Sequence, residues 1–127
     1  MIVVDTHTLI WWVLAPAKLS SAARVAIDSS ETIGFAAISC WEVALLSDRR
    51  RIDLDLEPTS WLHKVVKAGN VSILPITIEI GVLAAELQDI LRNPADCLIA
   101  ATALTHGIPL VTKDERIQRS GVVATIW

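Results

Sequence analysis

The chain reads as an α/β protein, a three-layer α/β/α sandwich on a central parallel sheet of about five strands. Three observations predict it. Short β-branched apolar runs alternate with helix-patterned segments along the whole sequence, cap residues and prolines fall at the joints, and neither an internal repeat nor a low-complexity stretch interrupts the alternation. Four acidic residues, Asp5, Glu42, Asp96 and Asp114, sit where an apolar run gives way to a helix or where a helix takes its first turn. In a parallel sheet the carboxyl ends of the strands share one edge, so residues distant in sequence can meet there. With 127 residues the chain is expected to form one domain, residues 1–127, burying roughly two-thirds of its unfolded surface.

Ile2 to Val4 is a β-branched strand ended by Asp5, and Thr6 to Leu14 reads as a helix that stops before Pro16. Leu19, Ala22, Ala23, Ala26 and Ile27 recur at helical spacing after the cap candidates Ser20 and Ser21, and Thr32 to Ala36 is the next strand. Ser39 is expected to open the following helix and to form a capping box with Glu42, the helix running through Leu46 towards Arg49, Arg50 and Arg51. Residues 51–58 alternate apolar and acidic side chains, as a short exposed strand or an extended loop ended by Pro58.

A helix is expected around Trp61 to Ala68, with Gly69 and Asn70 ending it. Val71 to Ile76 reads as a strand, and Glu79 to Leu91 as one helix burying Ala84, Leu87 and Leu91. Asn93 is a good N-cap, Pro94 suits the first helical position and Gly107 the stop. Residues 108–112 form a strand, 114–120 a short helix and 122–127 a last strand.

Four carboxylates converging on one edge raise one another's pKa or recruit a cation, and a hard divalent ion with oxygen ligands suits them. The pattern therefore points to a magnesium or manganese site. Each acid also has a structural alternative, since a carboxylate near a helix N-terminus is stabilised by about 0.3 to 1 kcal/mol. Asp5 and Asp114 fit N-caps, Glu42 the capping box, and Asp96 the third helical position after Asn93. Asp53, Asp55 and Glu57 fit a solvated face. His7, His63 and His106 lie scattered without zinc-ligand spacing, His7 reading as a helix-start residue. Thr6 and Thr112 stand next to two of the acids and can hold a carboxylate or a water in place. Lys113 either contacts a phosphate or balances Asp114, and the three consecutive arginines either contact phosphates or answer a helix dipole.

A net charge of −3 and a pI near 5.5 leave no basic footprint of the kind that marks nucleic-acid binders. Hydrophobic residues make up 53% of the chain and the mean hydropathy is +0.52, high enough to expect a partner over part of the surface, a homodimer being the simplest. Five Trp without a Tyr point the same way. Cys40 and Cys97 fall in different helices, as two buried thiols in a reducing compartment. The strand-like beginning leaves no room for a leader, and no run of about 18 apolar residues suggests a membrane span. The expected location is cytoplasmic.

Taken together, VVDTHTLIWWVL, AAISCWEVALL, NPADCLIAATALTHGIPLVTKD and the final VVATIW resemble a PIN domain of the VapC toxin type over nearly the whole chain. The strand-ending Asp of that family matches Asp5 with Thr6, its Glu after a Ser matches Glu42 with Ser39, and its later acids match Asp96 and Asp114. The resemblance implies a metal-dependent endoribonuclease, using Mg²⁺ or Mn²⁺ and no organic cofactor, inhibited by a cognate antitoxin. Asp5 and Asp96 would be direct ligands and Glu42 would assist water deprotonation. The chain departs from many relatives at Asn93, where they carry an Asp, and at Cys97, where they carry a basic residue. The competing readings are a non-catalytic RNA- or protein-binding module, a haloacid-dehalogenase-type phosphotransferase, which expects a second Asp where His7 stands, and a response-regulator receiver, which expects an acid pair absent here.

Overall fold

The computed structural model describes residues 1–127. The elements in order are β1 (Ile2–Val4), α1 (Thr6–Leu14), a 3-10 turn (Pro16–Lys18), α2 (Ser21–Asp28), β2 (Ile33–Ala36), α3 (Ala37–Asp48), α4 (Pro58–Ala68), β3 (Val71–Leu74), α5 (Ile78–Glu86), α6 (Gln88–Leu91), α7 (Pro94–His106), β4 (Leu110–Val111), α8 (Glu115–Ser120) and β5 (Thr125–Ile126). All strand pairs are parallel and the sheet runs β3-β2-β1-β4-β5. The chain winds outward from β1 through β2 to β3, then crosses back to β4 on the other side. The order therefore reverses between β1 and β4, the position at which open α/β sheets leave a crevice.

Period-two alternation in β1 separates the layers. Ile2 and Val4 enter a core with Leu9, Ile10, Ala23, Phe35 and Trp61, beneath α1, α2 and α4. Val3 enters the opposite core with Leu74, Ile80, Ala100 and Ile117, beneath α5, α7 and α8. A buried parallel sheet needs apolar side chains on both faces, which explains the unbroken β-branched run. At Gly34 of β2 a Cβ would stand 2.8 Å from Leu74 Cδ1 and 3.2 Å from the Ile2 carbonyl oxygen, so the close approach of the strands selects glycine. No helix is long and apolar enough to cross a membrane.

Several boundaries differ from those expected. α3 begins at Ala37, straight out of β2, with Ala36 as a cap lacking any side-chain bond. Ser39 is thus the third helical residue and buried, its hydroxyl has no partner, and the expected capping box with Glu42 does not form. The acidic alternation after Arg51 is a loop whose Ile52 and Leu54 pack against a core, and α4 starts earlier than expected because Glu57 caps it and Pro58 takes its first position. β3 stops at Leu74, since Pro75 has no N–H to continue the ladder. The helix expected over 79–91 is two, α5 and α6, meeting at Leu87, although Ala84, Leu87 and Leu91 are buried as expected. β4 and β5 are two residues each. Cys97 is buried, Cys40 only partly, and both are free.

A carboxylate crevice at the switch point

Asp5 leaves β1 and caps α1, its Oδ1 accepting the Thr8 N–H at 2.8 Å. The Asp5 N–H is tied to the Val111 carbonyl at 3.1 Å, and Thr8 Oγ1 donates to the same oxygen at 3.0 Å, so β4 and the start of α1 hold Asp5 from both sides. Immediately after β4, the buried Thr112 donates its hydroxyl to Asp5 Oδ2 and accepts the Asp114 N–H at 3.0 Å. One threonine therefore fixes two of the four acids. Asp114 caps α8 through Oδ1, taking the N–H groups of Arg116 (2.8 Å) and Ile117 (3.2 Å).

Glu42 lies further into α3 than the helix start expected for it, and its Oε1 accepts a hydrogen bond from the hydroxyl of buried Thr6. Asp96 is the third residue of α7, whose N-cap Asn93 accepts from Ala95 N at 2.9 Å and Asp96 N at 3.3 Å. Asn93 spends its carbonyl oxygen on that cap and lines a separate groove with Trp41 and Arg49. Ser39 does not line the crevice.

The four acids line one crevice of roughly 420 Å³, together with Thr6, His7, Trp11 and Lys113. Asp96 feels the charge of the other three acids. Asp96 is pushed up from 3.8 to about 6, first by burial and then by Asp114 and Glu42, with Arg116 pulling it down and Asp5 adding to the rise. Burial also raises Asp5, against the hydrogen bonds from Thr112 and Thr8. Arg116, two residues past Asp114, reaches both rim carboxylates, with Nη2 3.9 Å from Asp96 Oδ2 and 3.7 Å from Asp114 Oδ2. The exposed Arg116 guanidinium thus sits at the rim within reach of two of the acids.

As the side chains stand, no three acidic, His or Cys groups close on a common point to hold an ion. The donor set nonetheless fits a hard divalent cation. Carboxylates predominate, His7 is the one imidazole and no thiol or thioether lines the crevice, and each carboxylate oxygen has two lone pairs, so the threonine and helix-cap bonds leave acceptor capacity. Neither cysteine lines the crevice, and burial raises both thiols above their usual range. Of the residues outside the predicted set, Arg116 reaches the Asp96 carboxylate and Trp127 the Trp11 ring through packing that no local sequence signal marks, whereas the four-residue spacing of His7 and Trp11 on α1 is a signal that would have put them on one face.

A family model described as PIN domain matches residues 2–122. The chain is 38% identical to a protein of Mycobacterium tuberculosis (strain ATCC 25618 / H37Rv) named Ribonuclease VapC22, over 99% of this chain and 98% of that one. It is similar to FitAcB from Neisseria gonorrhoeae, at 25% identity and a TM-score of 0.66 over 98% of this chain and 96% of that one. DNA-bound VapBC from Salmonella typhimurium, at 17% identity, shares the fold with a TM-score of 0.71 over 98% of this chain and 97% of that one.

Proposed function

The chain belongs to the PIN-domain family, and from that premise we propose that it is a metal-dependent endoribonuclease, the toxin of a toxin–antitoxin pair. The observation that carries the reading is the convergence of Asp5, Glu42, Asp96 and Asp114 in one crevice at the switch point of the sheet. Asp5 and Asp96 would hold Mg²⁺ or Mn²⁺ directly, with Asp114 and Glu42 holding it directly or through water. Such an ion, when bound, stabilises charge on a phosphoryl oxygen and makes water a nucleophile at neutral pH.

The chain's own groups do the rest. Thr112 locks the Asp5 carboxylate and the backbone of Asp114, and Thr6 turns Glu42 into the crevice. Glu42, partly exposed, has an oxygen free of protein hydrogen bonds and takes the proton of the attacking water. Lys113 lines the same crevice and offsets the repulsion between its acids and an incoming phosphate. One lysine does not balance the acids around it, so RNA binding is weak until the carboxylates are neutralised.

Two partners complete the reading. A groove of roughly 410 Å³ between α1 and α4, lined by Trp12, Val13, Leu14, Trp61 and Val65, seats an apolar segment of the antitoxin. Ile78, Val82 and Ile90 on α5 and α6 are 83%, 58% and 56% exposed, too much apolar surface to leave in water, and a second copy covers them in a homodimer. The test of the function is cleavage of single-stranded RNA by chelator-stripped protein. Mg²⁺ or Mn²⁺ should restore cutting, and cleavage that persists in chelator would remove the carboxylates from the mechanism.

A further inference from the structure

Trp11 forms the α1 wall of the carboxylate crevice, and hydrolysis needs no indole there. The residue is half-buried but is a member of neither apolar core, whereas its neighbour Trp12 packs against one of them and lines the α1–α4 groove. Around Trp11 the structure gathers aromatic rings and cations. The His7 ring lies 5.7 Å away and the Trp127 ring 5.9 Å away, tilted by 51° and 59°. The ammonium groups of Lys18 and Lys113 stand 5.9 and 5.6 Å from the Trp11 centroid. His7 and Trp11 also line an adjoining, mostly apolar depression with Lys18 and Arg51, where Asp53 is the opposing charge, so a path leads from the acids over the indole to two further cations.

We propose that Trp11, with His7 and Trp127 beside it, is a stacking subsite for one unpaired base of single-stranded RNA next to the bond that is cut, Lys113, Lys18 and Arg51 taking the adjacent phosphates. The inference rests on the ribonuclease reading and adds how the substrate is held. A single strand presents both things this surface can use, open π-faces and a regular row of negative charge. A stacked base contributes more than an exposed cation–π contact, so an arriving base displaces the lysine ammonium from the indole and leaves it free for a phosphate. Paired RNA keeps its bases stacked on one another and cannot use the subsite. Because every base has a π-face, the subsite fixes the strand's position and tolerates any sequence at that nucleotide.

The test is a mutant cycle between protein and RNA. A labelled single-stranded oligoribonucleotide, and versions carrying one abasic nucleotide at each position in turn, are bound to wild type, Trp11→Leu and Trp11→Phe. Fluorescence anisotropy is read with Ca²⁺ as the neutralising ion, and cleavage of the same oligonucleotides is followed in Mn²⁺. Wild type should lose roughly tenfold in affinity when one particular base is removed. Trp11→Leu should lose the same factor on intact RNA and nothing more on that abasic version, while Trp11→Phe retains most of the base dependence. Lys18→Gln, outside the cores, should weaken intact and abasic RNA alike and flatten the salt dependence.

Equal base dependence in wild type and Trp11→Leu, or no sensitive position, would overturn the subsite and assign Trp11 to packing or to a protein partner. Cleavage in Mn²⁺ without Trp11-linked base dependence leaves the nuclease standing alone. A Trp11-linked dependence without cleavage leaves the subsite standing and removes the nuclease. RNA that is neither bound nor cut removes both. Should Trp11→Leu fail to fold, the abasic profile of wild type against Trp11→Phe and Lys18→Gln decides the matter.

Discussion

Replacing Asp96 by Asn should stabilise the metal-free protein at neutral pH while removing one of the proposed metal ligands. The Asp96 carboxyl is raised from 3.8 to about 6, with burial the first cause and the charges of Asp114 and Glu42 next. An acid whose folded-state value lies above its unfolded value adds stability that is fully present below about pH 4 and is lost as pH rises through about 6. The gap of roughly two pH units, at about 1.4 kcal/mol each, sets a ceiling near 3 kcal/mol for the cost of ionising it in the fold. The side chain is 18% exposed at the crevice rim, where water screens the neighbouring charges, so about 1 to 2 kcal/mol is the expected net cost. Asn keeps the shape and removes that cost, and the Arg116 contact it forfeits is exposed and worth little.

Thermal melts in chelator across pH 4 to 8 read this directly. Asp96→Asn should melt roughly 5 °C above wild type at pH 7.5 and level with it near pH 4. Mn²⁺ should then raise wild type more than the variant and close the gap. A variant less stable than wild type at pH 7.5, or a difference that does not change with pH, would refute the electrostatic reasoning.

Three further substitutions probe separate parts of the account. Thr112→Val leaves Asp5 Oδ2 and the Asp114 N–H without their shared partner, so stability should fall by about 1 to 3 kcal/mol in denaturant melts and cleavage by at least tenfold. Gly34→Ala presses a methyl against Leu74 and the Ile2 carbonyl, and urea unfolding should show a loss of about 1 to 3 kcal/mol with no change in the m-value. If the proposed homodimer forms through α5, wild type should sediment as a dimer and Val82→Glu as a monomer of unchanged fold, and equal masses for the two would refute that contact.

Local chemistry made much of this chain legible. Asp5, Ser20, Asn93 with Pro94, and Gly107 mark helix ends by side-chain caps, a fixed φ or a left-handed stop, and all four fall where expected. Ser39 misled because the Ser-to-Glu spacing imitates a cap, whereas the true start of α3 is an apolar turn directly out of β2 with no polar residue to mark it. The break at Leu87 has no local signal either, since no Pro lies between Ile78 and Leu91 and Gly81 comes well before it. Strands β4 and β5 are shorter than their apolar runs because pairing ends at Val111 and Ile126, a limit set by the neighbouring strands.

The four acids could be placed at one edge from strand and helix order alone. Thr6 and Thr112 stand out for lying near Asp5 and Asp114, but their hydroxyls bond Glu42 and Asp5, acids 36 and 107 residues away, a pairing that only the fold makes. The gathering of Trp11, Trp127, Lys18 and Lys113, and the reach of Arg116 across α8 to α7, depend on packing between elements far apart in the chain.

The central claim is that these carboxylates make the protein a metal-dependent ribonuclease, and its most direct test is total RNA incubated with purified, antitoxin-free protein. Mg²⁺ or Mn²⁺ is compared with chelator, and Asp5→Asn with wild type. The account predicts discrete fragments with the ions, none with chelator and none from a folded Asp5→Asn. Intact RNA under every condition, or equal cutting by Asp5→Asn, would contradict it.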